Sequence, residues 1–232
     1  MAGFCGGGNQ SNSISAEPLG APAALICCSA KNMALTDDCW QIVSIVMILQ
    51  TAWEPEMQAV DTGRMILRPF KEDDLDAFYR LGTVAEAIRY VGNTPFGSPE
   101  QALQAMRDGP LADYERHGFG RVACVWKDSG EVIGFSGLKY MAAVDAVELG
   151  YRFLPEYWGL GLATESGRAC LRLARDVYAL DRLVGLVHPD NAGSARVLSK
   201  LGFAVEGQVR LDFIPDTPVD LFARGLSADE AL

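Results

Sequence analysis

Apolar and polar residues follow a regular pattern from residue 62 onward, whereas the stretch before it carries little periodicity. Residues 64–70 alternate as in a β-strand, and acidic residues at 72–74 then open an amphipathic helix that Gly82 is expected to end. A second short helix is predicted over 84–90. The pattern up to this point indicates one strand followed by two helices.

A third helix is predicted to begin after Ser98. Ser98 can cap it, Pro99 suits the first helical position, and Gln101 follows three residues after the cap. This helix should extend toward His117. The sequence Gly109-Pro110 is expected to kink or break it, because proline lacks a backbone N–H and clashes with the preceding turn.

Strand patterns fill the middle of the chain. Residues 120–126 and 131–140 are predicted to pair as a hairpin, because residues 127–130 form a polar turn that ends in glycine. A third strand covers 146–153 and leads into a glycine-containing turn at 158–165. The hairpin order favours antiparallel pairing in this region.

A helix and a strand follow the glycine turn. The helix is predicted over 164–178 and the strand, which is rich in β-branched and apolar residues, over 182–187. Asn191 is then expected to cap a further helix over 194–201, which Gly202 ends.

Two final strands, 204–210 and 219–224, are predicted to flank a proline-containing loop. With the short helix over 84–90 counted together with the first, the resulting order is β-α-α-β-β-β-α-β-α-β-β. It describes one α+β domain over 57–226, with a mixed, mostly antiparallel sheet flanked by helices and a short tail at 227–232.

The first 56 residues are poorly specified. They carry one basic residue, Lys31, and their apolar run at 42–49 is shorter than the roughly 20 residues that span a bilayer. No basic leader precedes an apolar core, as a secretory signal would require. We interpret 1–56 as an N-terminal extension: a flexible segment, a misassigned start ahead of Met57, or an appendage that docks on a partner or on the domain.

Charge and cysteine content narrow the class of protein. The formal net charge of −10 argues against binding to nucleic-acid backbones, which requires clustered Lys and Arg. The chain has no Cys-x-x-Cys pair and only two histidines, so no metal site is predicted. Cys124 and Cys170 lie in apolar patterns and are expected to be buried free thiols, which fits a cytoplasmic protein that does not bind membranes.

The turn at 158–165 has the composition of a phosphate site. Two glycines and an alanine at a strand-to-helix connection allow a ligand to approach the backbone. The free N–H groups at the start of a helix, together with the helix dipole, favour an anion at that position. The turn therefore predicts a bound phosphate or pyrophosphate.

Four blocks of sequence, taken together and in this order, resemble the GCN5-related N-acetyltransferase (GNAT) superfamily. Within it, they are similar to the RimJ/RimL-like branch of ribosomal-protein N-acetyltransferases. The blocks are residues 64–69 with 73–75, residues 134–138, residues 148–151 with 155–165, and residues 191–194 with 200–203. The resemblance covers about residues 60–225 and implies the GNAT fold.

The resemblance implies that the glycine turn binds the pyrophosphate of acetyl-CoA, mainly through backbone amides. Trp158 stands where the superfamily has glutamine or arginine, and Gly161 and Ala163 fill the two small positions. The implied contacts to acetyl-CoA are Leu149, Gly150, Tyr151, Trp158, Gly159, Leu160, Gly161, Leu162, Ala163, Thr164 and Asn191.

Three side chains are the implied catalytic candidates. Glu148 is the candidate base for the surplus proton of the attacking amine; otherwise it faces solvent or pairs with Arg152, and water is the base. Leu198 replaces a tyrosine that protonates the leaving thiolate in many members, and Ser194 is the implied substitute unless it only caps the helix. Asn191 is expected to cap the helix and to hydrogen-bond the pantetheine arm or a catalytic water.

The acceptor is expected to be a primary amine, foremost a protein N-terminus. The alternatives are a polyamine or aminoglycoside, an amino acid or nucleotide-sugar amine, and a non-catalytic acyl-CoA-binding module. Arg89, Tyr90 and Phe96 are specificity candidates in the region that shapes the acceptor pocket, and His188 lies beside the implied pantetheine slot. The protein is expected to be a monomer or a homodimer.

Overall fold

The computed structural model describes residues 57–92 and 94–227, and an eight-stranded sheet runs through them. Its first five strands lie side by side in chain order, each antiparallel to the next. They are β1 Val60–Asp61, β2 Met65–Arg68, β3 Arg121–Trp126, β4 Val132–Met141 and β5 Ala146–Phe153. The mixed, mostly antiparallel sheet predicted from the sequence is therefore confirmed.

The last three strands continue the sheet in a different order. β6 lies next to β5 and parallel to it, and β8 separates β6 from β7 through antiparallel pairing on both sides. The three strands are β6 Arg182–Val187, β7 Ala204–Leu211 and β8 Ile214–Gly225. Among the described residues, the contact of β5 with β6 is the only parallel pairing in the sheet.

Helices lie between β2 and β3, between β5 and β6, and between β6 and β7. Four short helices lie between β2 and β3, one more than the three helical segments read from the sequence, because the third segment breaks in two. These are α1 Leu75–Thr83, α2 Ala85–Ile88, α3 Pro99–Met106 and α4 Ala112–His117. The longest helix, α5 Leu162–Asp176, links β5 to β6, and α6 Ala192–Lys200 links β6 to β7.

The start and the break of the third predicted helix are confirmed. Ser98 accepts a hydrogen bond from the backbone N–H of Gln101 at the start of α3, with Pro99 at the first helical position. Gly109 has φ −98° and ψ −108°, which are not helical angles, and Pro110 follows it directly. The chain therefore re-enters a helix only at α4.

The main core lies between the sheet and α5 and α6. Leu138 of β4 and Leu149 of β5 pack against Leu171 of α5 and Leu198 of α6, and all four are almost completely buried. Burial of one such side chain contributes about 1.5–3 kcal/mol, so this contact holds both helices onto the sheet. Cys170 belongs to the same core and is a free thiol, as predicted, and its burial raises its pKa to about 11.

Gly82 does not end the first helix as expected. It lies inside α1, and a Cβ at this position would come within 2.1 Å of the Phe96 ring. The glycine is therefore required by the close packing of Phe96, whereas α1 ends at Thr83, before the extended backbone of Val84. Sequence patterns cannot distinguish these two uses of glycine, because the contact is not local.

The predicted proline-containing loop between the last two strands is wrong. β8 begins at Ile214, which pairs with Leu211, so only two residues connect β7 to β8. Pro215 and Pro218 lie in the first part of β8, before the pairing with β6 starts at Asp220. The missing N–H of proline is tolerated there because β8 has a neighbouring strand on only one side.

The expectations for 1–56 and for most of the tail at 227–232 lie outside the described residues. Within 57–92 and 94–227, no helix combines the length and the apolar character needed to cross a membrane.

Candidate active site

The separation of β5 from β6 creates the site. The ladder between these strands consists of the single pair Glu148 and Val184, after which β6 stays with β8 as far as the pair Val187 and Asp220. The rest of β5 keeps β4 as a partner but has no partner on its other edge within 57–92 and 94–227. Backbone groups of Leu149–Tyr151 that face this gap are therefore free for a ligand.

The glycine turn lies at the end of β5. Gly159 and Gly161 have φ of +77° and +78°, in the left-handed region that favours glycine. Added Cβ atoms would meet nothing within 4 Å at Gly159 and only Arg64 Nη2, at 3.9 Å, at Gly161. The 15-residue helix α5 begins directly afterwards at Leu162, so its first backbone N–H groups have no acceptor within the helix.

A cluster of hydrogen bonds fixes this turn to the beginning of the sheet. The Glu165 carboxylate accepts hydrogen bonds from the hydroxyl of Thr62 and from the backbone and guanidinium of Arg64. Arg64 Nη1 also donates to the backbone oxygen of Leu160 at 2.9 Å. Although burial acts to raise the pKa of Glu165, these hydrogen bonds hold it below its usual value, so the carboxylate stays ionised.

Trp158 is anchored to the end of β5. Its side chain is half exposed, and its indole N–H donates to the backbone oxygen of Phe153 at 2.7 Å. The side chain therefore supports the turn from the end of β5. Leu160 is likewise half exposed.

Glu148 is buried and forms an ion pair, but its partner is Arg121. Arg121 Nη2 donates to Glu148 Oε2 at 2.7 Å. The carboxylate therefore neither faces solvent nor pairs with Arg152. Arg121 belongs to β3, and its guanidinium crosses the middle of the sheet to reach Glu148, because Gly150 leaves space for it: a Cβ at Gly150 would lie 2.9 Å from Arg121 Nε.

A second arginine lies further along the same face of β5. Residues 148, 150 and 152 share this face, since side chains alternate along a strand. The Phe135 ring lies between the two guanidinium groups, with its centroid 5.4 Å from Arg121 Cζ and 5.3 Å from Arg152 Cζ. Arg152 Nη1 donates to the backbone oxygen of Leu81 at 3.1 Å.

Asn191 and Ser194 meet at the start of α6, on the other side of the gap. Asn191 Oδ1 accepts a hydrogen bond from the backbone N–H of Ser194 at 3.1 Å, which confirms the predicted cap. The Ser194 hydroxyl lies 2.9 Å from the hydroxyl of Tyr151. Burial raises the pKa of Tyr151, so this hydroxyl keeps its proton at neutral pH. Leu198 is buried in the core.

Sequence reasoning missed the Tyr151 hydroxyl, because it considered only the backbone of this residue. The alternation along β5 is the signal that could have found it. Tyr151 points to the face opposite Glu148, which is the face that α5 and α6 cover.

These residues line one cavity of about 420 Å³. Glu148, Tyr151, Asn191 and Ser194 all contribute to its wall. The turn between β7 and β8 closes it on one side, together with residues on the loop after α2. The closing residues are Tyr90, Val91, Leu211, Phe213 and Ile214. The part played by the β7–β8 turn was not predicted, because the sequence placed a longer loop there.

The candidate specificity residues and His188 lie in different parts of the structure. Tyr90 lines the main cavity, and its ring lies 5.3 Å from that of His188, which also lines the cavity. The Nδ1 atom of His188 accepts a hydrogen bond from the backbone of Asp190. Phe96 lines a smaller cavity of about 250 Å³, which Arg152 also borders. Arg89 lies over the ring of Tyr90 and lines neither cavity.

Comparison with known proteins identifies the family. Residues 64–204 match the family described as acetyltransferase (GNAT) domain. This match covers more than half of the chain, and it includes β2, the glycine turn and α6. The protein therefore belongs to the GNAT acetyltransferase family and is an N-acetyltransferase. The family generally uses acetyl-CoA as the acetyl donor.

Individual relatives agree with this assignment. The chain is 31% identical over 152 residues to the uncharacterized N-acetyltransferase YoaA of Bacillus subtilis, covering 65% of this chain and 85% of the relative. It is 30% identical to the spermidine N(1)-acetyltransferase of Escherichia coli, covering 63% and 76% of the two chains. A ribosomal-protein-S5-alanine acetyltransferase from Vibrio fischeri has the same fold, with a TM-score of 0.59, 19% identity and coverage of 75% and 100%.

The Arg121–Glu148 pair predicts a measurable coupling. Arg121→Gln should lower the free energy of unfolding by about 2–4 kcal/mol, because a nearly buried carboxylate would lose its cation. Adding Glu148→Gln should recover part of this loss, since it removes the unpaired charge. Urea denaturation of the four proteins of the cycle measures the coupling.

The matched control is Arg182→Gln. Arg182 pairs with Glu206, and the two side chains are 43% and 49% exposed, so their pair should contribute less than about 1 kcal/mol. Equal losses for the two arginine variants, or no recovery in the double variant, would contradict the importance of the Arg121–Glu148 pair.

Proposed function

We propose that this enzyme binds acetyl-CoA between β5 and β6 and against the glycine turn, and that it acetylates a primary amine beside Glu148. The observation that carries this proposal is the position of Glu148. It forms the single pair of β5 with β6, directly before the gap in the sheet, and it is the one carboxylate among the described residues that line the cavity.

The shape of the turn supports a site for the pyrophosphate of acetyl-CoA. Open space next to Gly159 and the free N–H groups of residues 161–164 suit an anion at the start of a long helix. Arg64 lies close to Gly161, but its charge is paired with Glu165, so the proposed pyrophosphate site relies on backbone N–H groups.

Glu148 is proposed as the base. Its Oε2 atom accepts from Arg121, which leaves Oε1 for the acceptor amine or for a bridging water. The amine nitrogen forms a bond to the acetyl carbon, its surplus proton passes toward Oε1, and the bond between the acetyl carbon and sulfur breaks. Backbone groups of Leu149–Tyr151 that face the gap are placed to hydrogen-bond the thioester oxygen and the pantetheine arm.

Tyr151 is proposed as the acid, with Ser194 as its partner. The leaving thiolate needs a proton, and the Tyr151 hydroxyl keeps one at neutral pH because it is buried. The Ser194 hydroxyl lies within hydrogen-bond distance and can pass a proton on or orient the phenol. The side-chain amide of Asn191, whose oxygen caps α6, retains its N–H groups for the pantetheine arm or a water.

The base and the acid lie on opposite faces of β5. This arrangement suits an acceptor that arrives on one face while sulfur leaves toward the other. It also favours catalysis over a non-catalytic acyl-CoA-binding module, because Tyr151 supplies the hydroxyl that is missing at Leu198.

Relatives suggest two kinds of acceptor. One relative is named for spermidine and one structural neighbour for a ribosomal protein. A cavity of about 420 Å³ is of the size that binds small molecules, so we favour a small amine. Acetylation of a protein N-terminus stays a prediction.

The glycine turn can be tested with a charge. Gly161→Glu should weaken acetyl-CoA binding by about 100-fold or more, because a carboxylate would lie next to the pyrophosphate. Isothermal titration calorimetry measures the affinity. Gly118→Glu is the control: Gly118 has φ +71° and open space around it, so the same strain and charge are introduced away from the site. An unchanged affinity of Gly161→Glu for acetyl-CoA would contradict the assignment of the turn as the pyrophosphate site.

The base can be tested with the pH dependence of the rate. Glu148→Gln should lower kcat/KM by about 100-fold at pH 7, where an amine is mostly protonated. The loss should shrink as the pH approaches the pKa of the amine, about 8 for an α-amino group, because the free amine then forms without help. Glu206→Gln, in an exposed ion pair, should change nothing. A loss that is the same at every pH would make Glu148 a structural residue.

A further inference from the structure

The lining of the cavity carries positive charge, although the protein as a whole is acidic. The formal net charge of the chain is −10, whereas the cavity wall contains three cationic side chains and one carboxylate. The cations are Arg121, Lys139 and Arg152, and the carboxylate is Glu148. The site therefore attracts anions that the rest of the surface repels.

Arg152 is the cation without a counter-charge. Arg121 pairs with Glu148, and Lys139 lies 3.7 Å from the carboxylate of Asp113. In the described part of the chain, Arg152 has no carboxylate within 4.0 Å. To the residues that the structure describes, its guanidinium makes one hydrogen bond, which the backbone oxygen of Leu81 accepts.

Two donors on this face have no acceptor. The Nε atoms of Arg121 and Arg152 are buried and make no hydrogen bond among the described residues. Both arginines border the same cavity and contact the same Phe135 ring. Buried N–H groups without partners are rare in proteins, and they point to an acceptor that the bound state supplies.

The protonation state of Arg152 agrees with an acceptor that is supplied by a bound ligand. Burial, and then the like charge of Arg121, lower the pKa of Arg152 to about 10. The guanidinium therefore remains protonated at neutral pH, in surroundings that disfavour its charge. A bound anion would relieve both causes.

We infer that the acceptor is a small amine that carries a carboxylate, as an amino acid does, and that Arg152 binds this carboxylate. The inference rests on the proposed function, since it places the acceptor amine beside Glu148. A guanidinium is planar and suits a carboxylate, which can accept two parallel hydrogen bonds from it. Arg152 is thus a specificity residue, and Arg121 both pairs with Glu148 and faces the bound acid.

The order of the side chains places the proposed base and the unpaired cation on one face of β5. Glu148, Gly150 and Arg152 alternate onto this face, and the Arg121 guanidinium fills the space over Gly150. An acceptor would therefore lie against Arg121, with its amine toward Glu148 and its carboxylate toward Arg152. The closure of the cavity by Tyr90 and the β7–β8 turn limits its size. A polyamine, which has only positive charges, would meet two guanidinium groups at this face.

The experiment compares acceptors that differ only in the carboxylate. L-amino acids and their carboxamides are assayed with acetyl-CoA by release of the CoA thiol, beside spermidine and short peptides with acidic or neutral first residues. We expect kcat/KM to be about 10- to 100-fold higher for at least one amino acid than for its carboxamide. Spermidine should be a poorer acceptor than that amino acid.

Two variants assign the preference to Arg152. Arg152→Gln should abolish the difference between amino acid and carboxamide, and Arg152→Lys should retain part of it. Binding is measured as well: the preferred amino acid should raise the melting temperature of the wild type but not that of Arg152→Gln. Unshifted melting curves of the free variants, relative to the wild type, show that folding is intact.

The outcomes separate this inference from the proposed function. Turnover of spermidine or neutral amines without a preference for carboxylates would overturn the inference and leave the acetyltransferase site intact. Preferential acetylation of peptides would overturn it in favour of a protein N-terminus. Lack of turnover with every acceptor, despite acetyl-CoA binding, would count against the proposed function and the inference together. A preference that survives in Arg152→Gln would overturn the assignment to Arg152.

Discussion

The divergence of two parallel strands is the constraint on which the site depends. β6 pairs with β5 only at Glu148 and Val184, whereas its antiparallel ladder with β8 continues as far as Val187 and Asp220. Backbone groups inside a sheet are normally paired, so a gap in the ladder leaves donors and acceptors that a ligand can use. The glycine turn and the start of α6 lie at the two sides of this gap. The proposed contacts to acetyl-CoA all follow from this one feature of the sheet.

Electrostatics divide the site into two halves. On one face of β5, Arg121 reaches across Gly150 to hold Glu148, and Arg152 lies beyond it with an unused N–H. On the other face, Tyr151 and Ser194 form a neutral hydroxyl pair in a buried setting. Amide formation requires one proton to be removed from the amine and one to be given to the leaving thiolate. The proposed base, Glu148, lies near charged groups, and the proposed acid, Tyr151, lies among apolar ones, which suits these two opposite transfers. The proposed base and the proposed acid are thus both held by β5 and its immediate neighbours.

Local signals in the sequence predicted much of this structure. The limits of β5 and β6, the cap at Ser98 and the cap at Asn191 depend on neighbouring residues, and all were predicted correctly. The errors concern contacts between distant parts of the chain. The partner of Glu148 is 27 residues away on another strand, and Gly82 is explained only by the ring of Phe96. The prolines of β8 were misread because a pattern cannot reveal that one edge of a strand is unpaired.

Hydrogen exchange measured by mass spectrometry, with and without acetyl-CoA, tests the central claim most directly. The claim is that the ligand occupies the gap between β5 and β6 and the turn before α5. Binding should slow exchange of the backbone amides at 149–151 and at 159–164, while the hairpin turn at 127–130, far from the gap in the sheet order, should exchange as before. Binding without protection at these two segments, or with protection only elsewhere, would contradict the account.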